Sequence, residues 1–401
     1  MIEARLRDPA FIADPYALYA ELRARDPVLF TEMRGGSWFF TSHADVAAGL
    51  KLPELSNARA DHFLKGLQPD ERAEFVPLVD ALARWLLFYD PPRHTRIRRL
   101  MARVFTPAAL ESLRGRIEAI THALLDAVQP HGRMDVLPDL AFELPLRVIA
   151  LMLGVPADRR AEFVRWSGDL ARLLGGAVPT VALARQTARS VRDMTEYLRT
   201  HVRARRHAPA DDILTLLIHA EEDGDTLTED ELYAQCVLLL FAGHETTRNL
   251  IGNGLLALLR HPHELERLRA DPSLMRGAVE EVLRFDSPLQ AISRVVVRDF
   301  EYRGRQLRAG QMATMFLGAA NRDPAQFSEP DRLDITRKDN RHLAFAIGPH
   351  ACLGAQLARI EAAIAFTAIL ARLPDLRLVE DQPQYVPNMK LRGLTSLRVA
   401  F

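Results

Sequence analysis

The sequence predicts a mainly α-helical protein with small β-sheets segregated from the helical body. Three observations carry that prediction. From residue 91 onward, apolar residues recur with a 3.6-residue period in segment after segment. One long helical run, 228–260, is apolar on every side over Cys236-Val237-Leu238-Leu239-Leu240-Phe241-Ala242, and a helix of that kind is buried all round. The strand-like runs are few and short.

Taken in order, residues 14–25 read as an amphipathic helix with Tyr16, Leu18, Tyr19 and Leu22 apolar. Val28-Leu29-Phe30 and Trp38-Phe39-Phe40 flank Arg34-Gly35-Gly36-Ser37 and predict a short hairpin. A helix follows over 45–50. Residues 52–90 carry Pro53, Pro69 and Pro77 and little periodicity, the kind of stretch where functional loops lie. Helices are predicted over 107–128, 140–153, 157–174, 181–206 and 211–222. Gly175-Gly176-Ala177-Val178-Pro179 separates two of them as a mobile connection. Thr228-Glu229-Asp230-Glu231 fits a capping box, and His261-Pro262 stops the run. The helix between is about 33 residues, or roughly 50 Å. Asp271-Pro272 opens another helix that ends before Ser287-Pro288. Strands at 294–298 and 311–316, coil over 321–340, a helix over 353–370 and closing strands at 376–379 and 396–401 complete the reading.

Composition excludes several classes. Apolar content of 48% with 26% charged residues describes a globular protein with a substantial core. Lys+Arg and Asp+Glu each number 52, and a neutral chain lacks the basic excess of a nucleic-acid binder. Two cysteines build no disulfide framework and point to a reducing, cytoplasmic compartment. The N-terminus shows no apolar leader, and no apolar run approaches the ~20 residues of a membrane span.

Cys352 closes the Gly/Pro-punctuated loop His342-Leu343-Ala344-Phe345-Ala346-Ile347-Gly348-Pro349-His350-Ala351-Cys352 and directly precedes a helical run. Unpaired N–H groups and the positive end of a helix favour thiolate over thiol. Such a thiolate serves either as a nucleophile or as a soft ligand for iron. Gly348 and Gly354 let backbone lie flat against a planar ligand, and His350 is placed to donate to an anionic group. The central helix carries Ala242-Gly243-His244-Glu245-Thr246-Thr247 at its midpoint. Glycine costs roughly 1 kcal/mol there relative to alanine, which predicts a bulge or groove. A glycine, an acid and a hydroxyl in an apolar helix suit a polar ligand such as O2 and its protons. Glu281-Val282-Leu283-Arg284 places an acid and a base on one helix face. His94, Arg98 and Met101 share a face suited to a ligand with an apolar body and an anionic edge. Arg96, Arg99 and Arg103 share another, suited to an acidic partner.

Phe345, Gly348, His350, Cys352 and Gly354 resemble the haem-binding loop of the cytochrome P-450 haem-thiolate enzymes, with Ala346 where that family usually has glycine. Ala242 to Thr247 resemble the family's oxygen-activation signature, and Glu281 with Arg284 its E-x-x-R pair. The matches run in order from residue 90 to residue 354. The resemblance implies a single-domain cytochrome P-450 fold over 1–401, without a fused reductase, holding haem b between the long central helix and the cysteine loop. Cys352 is then the axial ligand, whose thiolate pushes electron density onto iron. Glu245 and Thr246 become the acid–alcohol pair that supplies protons. His94, Arg98, Arg294 and His350 become donors to the haem propionates, and Arg332 completes the network of Glu281 and Arg284.

The implied reaction puts one atom of O2 into a C–H or C=C bond of a largely apolar small molecule, in secondary or xenobiotic metabolism. The implied protein is a monomer that takes electrons from a ferredoxin and its reductase, docking near Arg96, Arg99 and Arg103. Phe63, Phe88, Phe241, Ala242, Leu289, Gln290, Ala291, Ile292 and Met389 are the expected substrate contacts, under a mobile lid over 165–180. The alternatives are a peroxygenase or oxidative-coupling catalyst, a haem sensor or carrier, and a cysteine hydrolase using His350 or His342.

Overall fold

The computed structural model describes residues 2–6, 8–64, 67–156, 159–174, 180–222 and 224–401. Its principal helices are α1 (Tyr16–Arg25), α2 (His43–Gly49), α3 (Arg93–Ala102), α4 (Arg114–Val128), α5 (Glu143–Met152), α6 (Arg160–Leu174), α7 (Val181–His207), α8 (Glu229–Arg260), α9 (Met275–Phe285) and α10 (Ala355–Arg372). The strands used below are β1 (Val28–Thr31), β2 (Ser37–Phe40), β3 (Leu55–Ser56), β4 (Arg133–Asp135), β5 (Ala291–Val296), β6 (Met312–Phe316), β7 (Arg377–Leu378) and β8 (Arg398–Ala400).

The chain forms two compact units. One holds Met1–Ser56, Arg114–Leu144 and Thr246–Phe401; the other holds Asn57–Leu113 and Pro145–Glu245. The boundary falls inside α8, between Glu245 and Thr246. The long helix begins as its sequence dictates. The Thr228 hydroxyl accepts from Glu231 N at 3.3 Å, and Glu231 accepts from Thr228 N at 3.1 Å, which closes the capping box.

The first unit contains a five-stranded sheet in the order β1-β2-β6-β5-β3. β1 and β2 form the expected hairpin, Val28 opposite Phe40. β6 joins β2 in parallel and β5 antiparallel, placing Arg294 opposite Ala313. A small sheet, β7-β8-β4, closes the chain. Phe39, Phe40, Leu22, Met315 and Phe316 fill the core around the larger sheet. α8 and α10 approach closely in this unit: a Cβ on Gly254 would lie 2.6 Å from Phe366 Cζ.

The second unit is helical, and more so than expected. Residues 52–90 hold two short α-helices, Pro69–Ala73 and Val76–Ala83, and two 3-10 turns. Prolines that looked like loop punctuation sit in the first turns of these helices, where no N–H is needed. The run over 107–128 divides at Leu113 into two helices, and that over 211–222 shortens to Ile213–Ile218. Residues 157–158 and 175–179, part of a predicted helix and of the predicted lid, lie outside the described residues. No helix among the described residues is long and apolar enough to cross a membrane.

The two glycines of α8 should respond oppositely to alanine. At Gly243 a Cβ meets Ile149 Cδ1 at an ordinary 3.5 Å, so Gly243→Ala should stabilise by about 1 kcal/mol through helix propensity. Gly254→Ala forces the ring of fully buried Phe366 and should destabilise by about 1–3 kcal/mol. Denaturant unfolding measures both.

Candidate active site

In the first unit, the chemistry-bearing side chains are organised by α9. Glu281 and Arg284 are both fully buried. Arg284 Nε and Nη2 donate to Glu281 at 2.9 and 2.8 Å. Nη1 and Nη2 reach the carbonyls of Asn321, Pro330 and Arg332. Glu281 also accepts from Asp334 N, the Asn340 amide and Arg337 Nε. All three guanidinium nitrogens and both carboxylate oxygens are thus engaged, as a buried pair requires.

The third side chain of this network is Arg337, not Arg332. Arg332 points to solvent, 56% exposed, beside Glu329, and gives only its carbonyl. Asp334 N binds Glu281, which draws the chain past the carboxylate and delivers the next arginine, Arg337, at 11% exposure.

Two routes lead from α9 to the cysteine loop. Asn321, whose carbonyl accepts from Arg284, also accepts from Leu343 N through its side chain at 2.7 Å. Glu280 accepts from His342 Nε2 at 2.9 Å and from Arg359 Nε and Nη2 at 2.6 and 3.0 Å. His342 Nδ1 accepts from Ala344 N, which assigns the proton to Nε2. Burial alone pushes the Glu280 carboxyl up, but the hydrogen bonds from His342 and Arg359 outweigh it and bring the pKa down to about 2.

The Arg359 guanidinium lies 4.5 Å from the centre of the Phe345 ring, and the Phe345 carbonyl accepts from Cys352 N at 2.9 Å. Inside that turn, Ala346 has φ +53 and Gly348 φ +78. A Cβ on Gly348 would crowd Lys51 Cγ at 3.2 Å and the Leu50 carbonyl at 3.4 Å, so angle and room both demand glycine. Ala346 holds the left-handed conformation at a cost of about 1 kcal/mol. α10 starts at Ala355 with Gly354 as N-cap, two residues later than expected, so Cys352 precedes the helix rather than beginning it.

Cys352 is exposed, whereas Cys236 is buried and its thiol is pushed up to about 12 by that burial. The accessible sulfur is the one in the loop. His350 is half-buried beside it in sequence, and Arg294 on β5 is 2% exposed.

The second unit contributes α3 and the first half of α8. On α3, His94 is buried and Arg98, one turn on, is half-buried. Arg99 and Arg103 are exposed. Arg96 is already committed: it donates to Asp225 at 2.9 Å and to the Glu231 carboxylate that closes the α8 capping box.

On α8, Cys236, Val237, Leu238 and Leu240 are buried, as are Thr247, Asn249 and Leu250. Between them Ala242 is exposed, and Phe241, Gly243, Glu245 and Thr246 are half-buried. The expectation of burial all round fails at the stretch that carries the polar signature. The backbone stays α-helical through Gly243, so the expected bulge does not form. His244 is buried, its Nδ1 3.8 Å from Glu245 Oε1.

The expected substrate contacts divide. Phe241 lies 5.7 Å from the Trp85 ring, and buried Phe88 stacks on Trp85 at 6.2 Å. Leu289, Ile292 and Met389 are half-buried. The side chain of Phe63 is outside the described groups. Gln290 and Ala291 are corrections. The Gln290 amide is 2% exposed and donates to the Ser287 carbonyl at 2.8 Å, so it caps backbone. Ala291 is packed in the core with Leu22, Phe39 and Phe316. Ala291, the first residue of β5, faces the core, while Leu289 just before the strand and Ile292 within it are half-buried.

Taken unit by unit, the donor types are those a haem takes: the accessible sulfur of Cys352 with half-buried His350 and buried Arg294 in the first, and buried His94 with half-buried Arg98 in the second. Among the described residues, no cluster of three or more His, Cys, Asp or Glu is arranged to hold a metal ion. Arg337, Glu280 and Arg359 were missed by sequence reasoning. The doublet Glu280-Glu281 was the available signal for the second and third.

Comparison with known proteins gives concordant results. The family model described as "Cytochrome P450" matches residues 77–392. The polyketide biosynthesis cytochrome P450 PksS of Bacillus subtilis is 37% identical, over 97% of this chain and 96% of the relative. The vitamin D(3) 25-hydroxylase of Pseudonocardia autotrophica is 40% identical, over 97% and 94%. Among solved structures, P450BioI in complex with a hexadec-9Z-enoic acid-ligated acyl carrier protein superposes with a TM-score of 0.91 at 36% identity, over 98% of this chain and 99% of that one.

The α9 network should dominate stability. Arg284→Ala leaves Glu281 buried without its main partner and should cost about 3–5 kcal/mol. Arg337→Ala should cost less, and Arg332→Ala should stay within about 0.5 kcal/mol. Urea unfolding of the three variants checks the order.

Proposed function

The chain belongs to the cytochrome P450 family and is an oxidoreductase of the monooxygenase class that uses haem and O2; from that premise we propose that it hydroxylates or epoxidises an extended, largely apolar small molecule of secondary or xenobiotic metabolism. The observation that carries the proposal is the accessible stretch of α8, where a buried apolar helix opens at Ala242, Glu245 and Thr246. The named substrates and ligands of relatives point the same way: a polyketide pathway, vitamin D(3), a hexadecenoyl chain.

The cofactor would be haem b, held within one catalytic domain. Cys352 would hold its iron, and His94, Arg98, Arg294 and His350 would bind its propionates. When bound, the haem supplies the redox centre at which O2, two electrons and two protons yield one oxygen atom for the substrate and one water. The protein's part is to position and to move protons. Glu245, at 16% side-chain exposure, receives protons from solvent, and the Thr246 hydroxyl next to it passes them inward. Phe241, Ala242, Leu289, Ile292 and Met389 present an apolar surface to the substrate and exclude water, with buried Phe88 packed behind Phe241 through Trp85. Phe345 and Gly348 shape the loop under the ligand.

The protein is a cytoplasmic monomer that receives electrons from a ferredoxin, itself reduced by a ferredoxin reductase. Arg99 and Arg103 form the docking face, with Arg96 holding α3 to the start of α8 beside them.

Reconstitution with ferredoxin and reductase under ¹⁸O₂ should give product carrying one labelled oxygen. Glu245→Gln and Thr246→Ala should each lower product formation by about 10²-fold or more, the usual worth of positioned proton transfer. Arg99→Glu with Arg103→Glu should slow ferredoxin-supported turnover and flatten its salt dependence. Unlabelled product would contradict the proposal, and an unchanged salt dependence would remove the docking face.

A further inference from the structure

The cysteine loop contains a tension that the family reading does not explain. Ala346 holds a left-handed backbone, φ +53, in the interior of the turn that Phe345 and Cys352 close. A side chain in that conformation persists only where its surroundings over-determine it. The surroundings are specific. Phe345, the residue before Ala346, has the Arg359 guanidinium over its ring at 4.5 Å and the His342 ring at 6.1 Å. Both of those side chains are held by one carboxylate, Glu280, which takes two hydrogen bonds from Arg359 and one from His342. His342 also accepts from Ala344 N, which ties down the backbone just before the turn. Phe345 in turn offers its carbonyl to Cys352 N. The chain of contact runs from α9 to the residue that carries the sulfur without a gap.

We propose that Glu280 is a positioning residue for Cys352: by clamping Phe345 through His342 and Arg359, it holds the strained turn at Ala346 in the shape that presents the sulfur. The assignment rests on the reading of Cys352 as the haem ligand. It is separate from the role of Glu281, whose carboxylate faces Arg284, Arg337 and Asn340. Two adjacent acids on α9 thus do different things. Glu281 holds the coil over 321–340, and Glu280 holds the ligand loop. Arg359 suits the task because a planar guanidinium binds a carboxylate with two donors while stacking on a ring, which an ammonium does not do.

The test uses the haem-loaded protein and a cycle of Glu280→Gln and Ala346→Gly, with Arg359→Lys as a second, milder probe of the clamp. The readout is the carbon monoxide difference spectrum of the reduced protein: the fraction of haem with thiolate-type absorption, and its half-life under mild heating. Glu280→Gln should shorten that half-life at least tenfold, and Arg359→Lys should shorten it less. Ala346→Gly should lengthen it. The double variant should recover most of what Glu280→Gln loses, because glycine removes the strain that the clamp restrains. A half-life unchanged in Glu280→Gln and Arg359→Lys would overturn the assignment, and so would losses and gains that simply add. A wild-type protein without thiolate-type absorption would instead sink the haem-thiolate reading, and this assignment with it.

Discussion

The first unit depends on one buried ion pair. Glu281 and Arg284 are fully removed from water, and two unscreened charges in that position are tolerable only with every donor and acceptor met. The partners that meet them come from a stretch with almost no regular structure, residues 321–340. Asn321, Pro330, Arg332, Asp334, Arg337 and Asn340 each give the pair a backbone or side-chain group. A coil that has no helix or sheet to shape it is therefore shaped by a charge. Asn321 then passes that order to Leu343, at the start of the cysteine loop. The cysteine loop inherits its place from α9.

The second unit applies a different constraint. α8 starts with a closed capping box whose glutamate is also gripped by Arg96. Its apolar surface is then covered turn after turn. Coverage thins over 241–246, where Ala242 is exposed and Phe241, Gly243, Glu245 and Thr246 are half-buried. A buried helix that leaves one stretch uncovered there loses apolar burial worth ~25 cal/mol for each Å².

Much of this was legible in the sequence because it is local. The capping box at Thr228, the helix stop at His261-Pro262 and the hairpin around Arg34-Gly35-Gly36-Ser37 are decided within a few residues. The cysteine loop was legible because its glycines and cysteine have few other reasons to stand together. What failed is what depends on distant partners. Arg332 and Arg337 both lie in coil, where spacing has no period to choose between them; the choice is made by how the chain passes Glu281. The carboxylates that engage Arg96 lie more than a hundred residues away. Gln290 looked like an open amide because its neighbours are apolar, yet it folds back onto Ser287. The proline-marked stretch 52–90 read as loop because proline signals a helix start as readily as a break.

Cys352 is the accessible sulfur, and the proposed function makes it the ligand of a planar cofactor. The carbon monoxide difference spectrum of the reduced, haem-loaded protein tests that claim most directly, with Cys352→Ala and Cys236→Ala compared against wild type. The account predicts thiolate-type absorption in wild type and Cys236→Ala, and its complete loss in Cys352→Ala. A protein that folds normally and binds no haem, or a Cys352→Ala variant that keeps the thiolate-type band, would contradict it.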